Sequence, residues 1–229
     1  MTVTEAFQTK NPSYSSRKFP KDLEVYEKYF SSFKENKTNI NLLEIGVQGG
    51  GSLYAWKNYF GDRANNIVGI DVLNFKGKED PTQNIYIEQG DQVDVEFLLK
   101  VNDLYGPFDI IIDDGGHHMF QHQESLNTLF PLLKSEGIYA IEDLHTCYWG
   151  KYQGDPNPVF KDDNTLNALV KKIDSLNFRA KVEAGSTLSY NDATLWDKTL
   201  YGVSLYESLV ILQKQDKPYY NKLLSSTSY

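Results

Sequence analysis

Residues 40–52, INLLEIGVQGGGS, decide how the rest of the chain is read. INLLEIGV (40–47) is a short apolar run that closes on glycine at Gly46, and Gly49, Gly50 and Gly51 follow before a helical stretch opens at Ser52 and runs to residue 60. A buried strand that feeds a glycine turn and then a helix is the first half of a βαβ unit. The second half follows at once in NIVGIDV (66–72), another apolar run, with Asp71 near its end. The order then repeats: NIYIEQGD (84–91) reads as a strand, VEFLLKVNDLY (95–105) as a helix, FDIIIDD (108–114) as a strand, Gln121 to Leu133 as a helix, and GIYAIEDL (137–144) as a fifth strand. These strands are apolar throughout rather than alternating, which predicts a parallel sheet covered by helices on both faces. The last pattern, GVSLYESLVILQK (202–214), holds two apolar runs around Tyr206, Glu207 and Ser208 and predicts a closing antiparallel strand pair.

The flanks are less regular. Residues 1 to about 20 are polar, with Pro12 and Pro20, and read as an arm; residues 21–34 place Leu23, Tyr26, Tyr29, Phe30 and Phe33 at helical spacing. After His145 the periodicity lapses, apart from a helix over 164–176, and 183–199 reads as loop. An insertion of this length (146–199) before the final strand pair predicts a substrate lid on a single domain spanning 1–229, with 1–38 as arm and helix. A net charge of −8, without a Lys/Arg cluster, argues against nucleic acid as a partner. No apolar stretch approaches the roughly 20 residues that cross a bilayer. The start MTVTEAFQTK has neither a basic leader nor an apolar run, and the lone Cys147 cannot form an internal disulfide; the expected compartment is the cytoplasm. A homo-oligomer stays open.

Chemistry collects at the strand ends. Glu44 closes the first strand in an E-x-G form, with Gly46, Gly49 and Gly51 in the turn, and Asp71 lies one βαβ unit downstream, where an acid accepts from ribose hydroxyls. A nicotinamide dinucleotide or S-adenosylmethionine would each satisfy the acid; the E-x-G form suits a cationic amino-acid ligand better than a pyrophosphate, and a turn serving packing alone is the plain alternative. Asp91 and Gln92 after the third strand have side chains suited to an adenine edge, or to an ordinary polar turn. The fourth strand runs into IIIDDGGHHMFQHQE (110–124), which carries Asp113, Asp114 and three of the four histidines, His117, His118 and His122; the fourth, His145, follows Glu142 and Asp143. Metal binding, proton transfer and turn chemistry all remain open for this stretch.

Taken in order, EIGVQGGGSLYAWK, GIDV, GDQVDVEFL, FDIIIDDGGHH and IEDLHTCYW resemble the class I S-adenosylmethionine-dependent, metal-dependent sugar O-methyltransferases that act on macrolides and other antibiotics, a group related to the cephalosporin hydroxylase-like proteins. The resemblance covers roughly residues 40–150 and, more weakly, YESLVILQK. It implies a Rossmann-like class I methyltransferase fold with a mostly parallel seven-stranded sheet. It also implies S-adenosyl-L-methionine held by Glu44, Gly46, Gly49, Gly51, Ser52, Asp71, Asp91, Gln92 and Asp113; Mg²⁺ held by Asp114, Glu142 and Asp143; and His117, with Asp114, at the reacting hydroxyl of a small-molecule or glycan acceptor. Three carboxylates suit a hard cation, and a histidine suits proton removal near neutral pH.

Two other readings compete with this one. An iron-dependent hydroxylase, or a component of one, would hold its metal by histidine and carboxylate. A non-catalytic accessory protein would keep the cofactor cleft alone. His118 and His122 have the i, i+4 spacing of a metal pair but sit where a helix starts, and Tyr148, Trp149 and Tyr152 suit either a sugar face or the core. Cys147 reads as a small packing residue.

Overall fold

The computed structural model describes residues 1–9, 16, 18–158 and 161–217. Pro12 and part of the expected N-terminal arm, residues 10–15 and 17, lie outside the described residues, as do residues 159–160 of the insertion. The chain divides into two compact units, Met1–Gly116 and His117–Tyr229.

The first unit opens with a helix where the sequence predicted only an arm. Helix α1 (Val3–Gln8) is fastened by a capping box between Thr2 and Glu5 and buries Val3 and Ala6. Six residues with two buried positions are too few to show a helical period, so capping rather than amphipathicity marks this element. Helix α2 (Pro20–Asn36) turns Leu23, Tyr26, Phe30 and Phe33 inward, as their spacing demands. Strand β1 (Ile40–Ile45) is followed by helix α3 (Gly51–Phe60), whose Trp56 is the hub of an aromatic cluster. Phe7 and Tyr26 meet the Trp56 ring edge-on at centroid distances of 4.7 and 5.4 Å, and Phe30 lies at 5.6 Å. Such pairs contribute about 0.5–1.5 kcal/mol each beyond area burial, and this cluster locks α1 and α2 onto α3. Strands β2 (Ala64–Asp71) and β3 (Ile85–Gln89), helix α4 (Val95–Tyr105) and strand β4 (Ile110–Asp113) complete the unit. Its four strands run parallel in the order β3-β2-β1-β4. The register pairs Ile45 with Ile70 and with Asp113, so Glu44, Asp71 and Asp113 all end up at the carboxyl edge of this sheet.

The second unit contains helix α5 (Met119–Leu129), strand β5 (Ile138–Ile141), the short helices α6 (Thr165–Ile173), α7 (Phe178–Glu183) and α8 (Leu195–Thr199), and strands β6 (Leu200–Tyr206) and β7 (Leu209–Lys214). Strand β7 is antiparallel to both β5 and β6, the closing pair that the sequence predicts. With the four parallel strands, these make the seven-stranded, mostly parallel mixed sheet. Lys214, buried at the end of β7, donates to the carbonyls of Pro131 and Leu133 at 2.7 and 2.6 Å, using its charge to satisfy acceptors beyond α5. The stretch 183–199 is not plain loop. A capping box between Thr194 and Asp197 starts α8, and Phe178 and Ala193 form a small apolar cluster with Val182 and Tyr190. Five-residue helices fixed by caps carry no period to read.

Candidate active site

In the first unit the glycine turn is built by its neighbours. Gly46 has φ +96°, and a Cβ there would lie 2.1 Å from the carbonyl oxygen of Asp114, so main chain passes where any other residue would put a side chain. Gly50, at φ 76°, sits in the left-handed region as the N-cap of α3. Asp71 organises the turn: one carboxylate oxygen accepts from the N–H groups of Val47 and Gln48 at 2.9 and 3.3 Å, and the other from Leu73 at 2.9 Å. Three bonds leave roughly one of a carboxylate's four acceptor directions for anything else. Lys78 donates to the carbonyl of Gly49 at 2.9 Å from the other side.

Gln92 and Asp113 clamp the next turn. The Gln92 amide donates to both Asp113 oxygens at 3.2 and 3.4 Å and accepts from the N–H of Gly116 at 2.8 Å. Both side chains are buried, whereas Asp91 is exposed and accepts from Val93.

Glu44 is fully buried, and burial pushes its carboxyl above the ordinary range; the Lys18 charge opposes that, Asp114 adds to it, and the Ser52 hydroxyl again pulls the other way. The ammonium of Lys18 lies 2.9 Å from Glu44 Oε1 and 2.6 Å from Asp114 Oδ2, its side chain only 2% exposed. Sequence reasoning missed Lys18, because the contact spans 96 residues and no local pattern marks it. The signal available was indirect: two carboxylates at neighbouring buried strand ends require a cation.

In the second unit, His117 and Asp143 face each other, with His117 Nε2 3.3 Å from Asp143 Oδ2. Both have left-handed backbones, φ 60° and 53°, which cost a non-glycine residue about 1–3 kcal/mol. One buried hydroxyl secures both: Thr146 Oγ1 lies 2.8 Å from the carbonyl of Asp143 and 3.2 Å from that of His117. Nδ1 of His117 is buried without a hydrogen-bond partner, and Nε2 is the nitrogen turned to the Asp143 carboxylate. His145 stands beside the pair. Its Nδ1 is 2.6 Å from Ser208 Oγ in the β6–β7 turn and 3.7 Å from Asp143 Oδ1, and its ring meets Trp149 edge-on at 4.5 Å. Tyr148 and Trp149 are about half exposed, and Tyr152 packs against His118 at 5.4 Å. Glu142 is buried directly before Asp143. His118 is the N-cap of α5 and His122 is fully buried in that helix. Burial pushes the Cys147 thiol up to about 11, so it is a packing group and not a nucleophile at neutral pH.

No family model matches the chain. Curated proteins do: it is 33% identical over 197 residues to demethylmacrocin O-methyltransferase of Streptomyces fradiae, a match covering 82% of this chain and 47% of that enzyme. It is also 33% identical over 196 residues to mycinamicin VI 2''-O-methyltransferase of Micromonospora griseorubida, again 82% of this chain and 47% of the relative. The chain is a homologue of these sugar O-methyltransferases. Among solved structures, it superposes on the MycE methyltransferase of the mycinamycin pathway, in complex with Mg, SAH and mycinamycin VI, with a TM-score of 0.74 and 28% identity over 93% of this chain and 54% of that one. The fold is therefore the Rossmann-like methyltransferase fold that the sequence predicts. The chain spans about half the length of the curated relatives it matches. No helix among the described residues is long and apolar enough to cross a membrane.

Proposed function

We propose that this chain is an S-adenosylmethionine-dependent, Mg²⁺-dependent O-methyltransferase that methylates a sugar hydroxyl of a glycosylated natural product, nucleotide sugar or polysaccharide. The observation that carries this reading is the 33% identity, over most of the chain, to enzymes named for macrolide-sugar methylation. The site agrees with it chemically. Glu44 and Asp114 already share a cation, the Lys18 ammonium, so the acids of this edge suit positively charged ligands. Glu44, Ser52, Asp71, Asp91, Gln92 and Asp113, with the glycine turn, would hold S-adenosylmethionine, which would supply the methyl group. Asp114, Glu142 and Asp143 would hold Mg²⁺, which would supply a Lewis acid for the acceptor hydroxyl.

The chain's own residues do the rest. The His117 imidazole accepts the hydroxyl proton, and the Asp143 carboxylate, 3.3 Å from its Nε2, stabilises the imidazolium that forms. Thr146 and the strained backbones hold that nitrogen in place, and positioning supplies much of the acceleration in a direct methyl transfer. The exposed rings of Tyr148 and Trp149 offer apolar faces to a sugar, and the insertion 146–199 serves as the lid over it. The same reading gives the enzyme a small-molecule or glycan acceptor, neither nucleic acid nor membrane as partner, and the cytoplasm as its compartment.

The test is incubation with S-adenosylmethionine, MgCl₂ and a panel of demethylated macrolide glycosides and nucleotide sugars, read by mass spectrometry. A gain of 14 daltons on the sugar, abolished by EDTA and restored by Mg²⁺, is expected. Full transfer in EDTA would remove the metal from the reading. Calorimetry showing no binding of S-adenosylhomocysteine would remove the cofactor.

A further inference from the structure

The position of Lys18 asks for an explanation that neither the fold nor the methyl-transfer reading supplies. Its residue precedes Phe19, the N-cap of α2, and Pro20 fixes the first position of that helix. Phe19 is more than half exposed, yet the Lys18 side chain runs inward until its ammonium is 2% exposed between two carboxylates on different strands. Glu44 is fully buried and Asp114 only partly so, its side chain 26% exposed, so Asp114 is the end of this triad that a ligand from solvent meets first. A buried carboxylate without a counter-charge is strongly unfavourable, and two side by side are worse. The ammonium removes that penalty.

It also occupies the carboxylate that the proposed metal needs. A divalent cation on Asp114 and an ammonium 2.6 Å from the same Asp114 oxygen would crowd three positive charges around one carboxylate. Lysine suits an occupancy that must end. It is a point charge on a flexible four-carbon stem, without the rigid two-pronged fork of arginine.

We propose that Lys18 is the built-in cation of this site: its ammonium holds Glu44 and Asp114 in the ligand-free protein and gives Asp114 up when the divalent metal enters. Ligand entry is thereby coupled to movement of the chain just before α2, and the ligand-free protein never leaves buried Glu44 beside Asp114 without a counter-charge. The proposal rests on the methyltransferase reading for the identity of the displacing ligand, so the experiment measures the two separately.

Binding of MgCl₂ and of S-adenosylhomocysteine is measured by calorimetry on the wild type, Lys18→Met and Lys18→Arg. Removing a competing ammonium should tighten Mg²⁺ binding by about tenfold or more, the worth of one charge-assisted contact; Lys18→Arg, which keeps the charge, should bind no tighter than the wild type. Ligand-free Lys18→Met should melt below the wild type and gain more from MgCl₂. A second readout needs no variant: acetic anhydride labelling of the wild type, followed by peptide mass spectrometry, should find Lys18 protected without ligands and several-fold more reactive once MgCl₂ and S-adenosylhomocysteine are present. Equal or weaker Mg²⁺ binding by Lys18→Met, or a Lys18 equally protected in both conditions, overturns the proposal while leaving the methyltransferase reading intact. Failure of both the wild type and Lys18→Met to bind either ligand would overturn the two together.

Discussion

The turns that frame this site obtain their left-handed backbone in different ways. The turn after β1 uses glycine at Gly46 and Gly50, with φ of 96° and 76°. The residues that begin α5's approach and end β5 use His117 and Asp143 at φ 60° and 53°. In the first case the requirement is space and curvature alone, since a Cβ at Gly46 would collide with the Asp114 carbonyl. In the second the side chains are the point: glycine would relax the backbone and delete both the imidazole and the carboxylate that faces it. On the proposed function, strain is accepted where the chemistry needs a side chain, and the Thr146 hydroxyl meets the carbonyls of both strained residues. Gln48, at φ 43° in the first turn, fits the same rule in reverse, because there the needed group is its N–H, which donates to Asp71.

The sharpest break of this comparison is at the acids. Asp114→Ala is expected to abolish Mg²⁺ binding and turnover together, measured by calorimetry and methyl transfer; retained turnover would move the metal elsewhere. Gly46→Ala comes next. It adds a left-handed penalty to a backbone clash, and should cost roughly 2–5 kcal/mol of stability in denaturant titration; a loss under about 0.5 kcal/mol would mean that the turn yields easily. Thr146→Val tests that hydroxyl. Turnover should fall about ten- to a hundredfold, with S-adenosylhomocysteine binding unchanged, and Thr146→Ser should recover most of it. An equal loss of cofactor binding would make Thr146 merely structural.

The smallest effect lies away from the site. Burial against Trp196 pulls Lys172 down to about 8, so above that pH the unfolded chain binds more protons than the folded one and stability rises with pH toward the ordinary lysine value. Lys172→Met should therefore be more stable than the wild type at pH 7, by about 1 kcal/mol or less given the partial exposure. The difference in Tm should narrow between pH 7 and 10. A constant difference across that range would contradict the sign of the shift.

Much of the fold was legible because it is written in contiguous runs. The apolar strands β1 to β5, the helices between them and the closing pair β6–β7 each lie within a dozen or so residues, where period and burial can be read directly. Helices α1 and α8 were not, since caps and not periodicity define them. The site divides along the same line. The acids at strand ends and His117 announce themselves by local motif, whereas the groups that arm them are distant: Lys18 reaches Asp114 across 96 residues, Ser208 reaches His145 across 63, and Thr146 reaches His117 across 29. Residue type gives no warning of such pairings, because any lysine or hydroxyl can make them. Gln92 and Asp113 follow the same rule: local motif marks both as cofactor residues, but the bonds that fix Gln92 run to Asp113 across 21 residues and to Gly116 across 24.

The central claim, that His117 keeps a costly backbone because its imidazole takes the acceptor proton, is tested most directly by His117→Gly. Glycine removes the left-handed penalty along with the ring. The variant should melt at or above the wild type, bind S-adenosylhomocysteine and Mg²⁺ normally, and lose roughly 10²- to 10⁴-fold in methyl transfer to the glycoside acceptor. A His117→Gly protein with near-normal turnover would contradict the account.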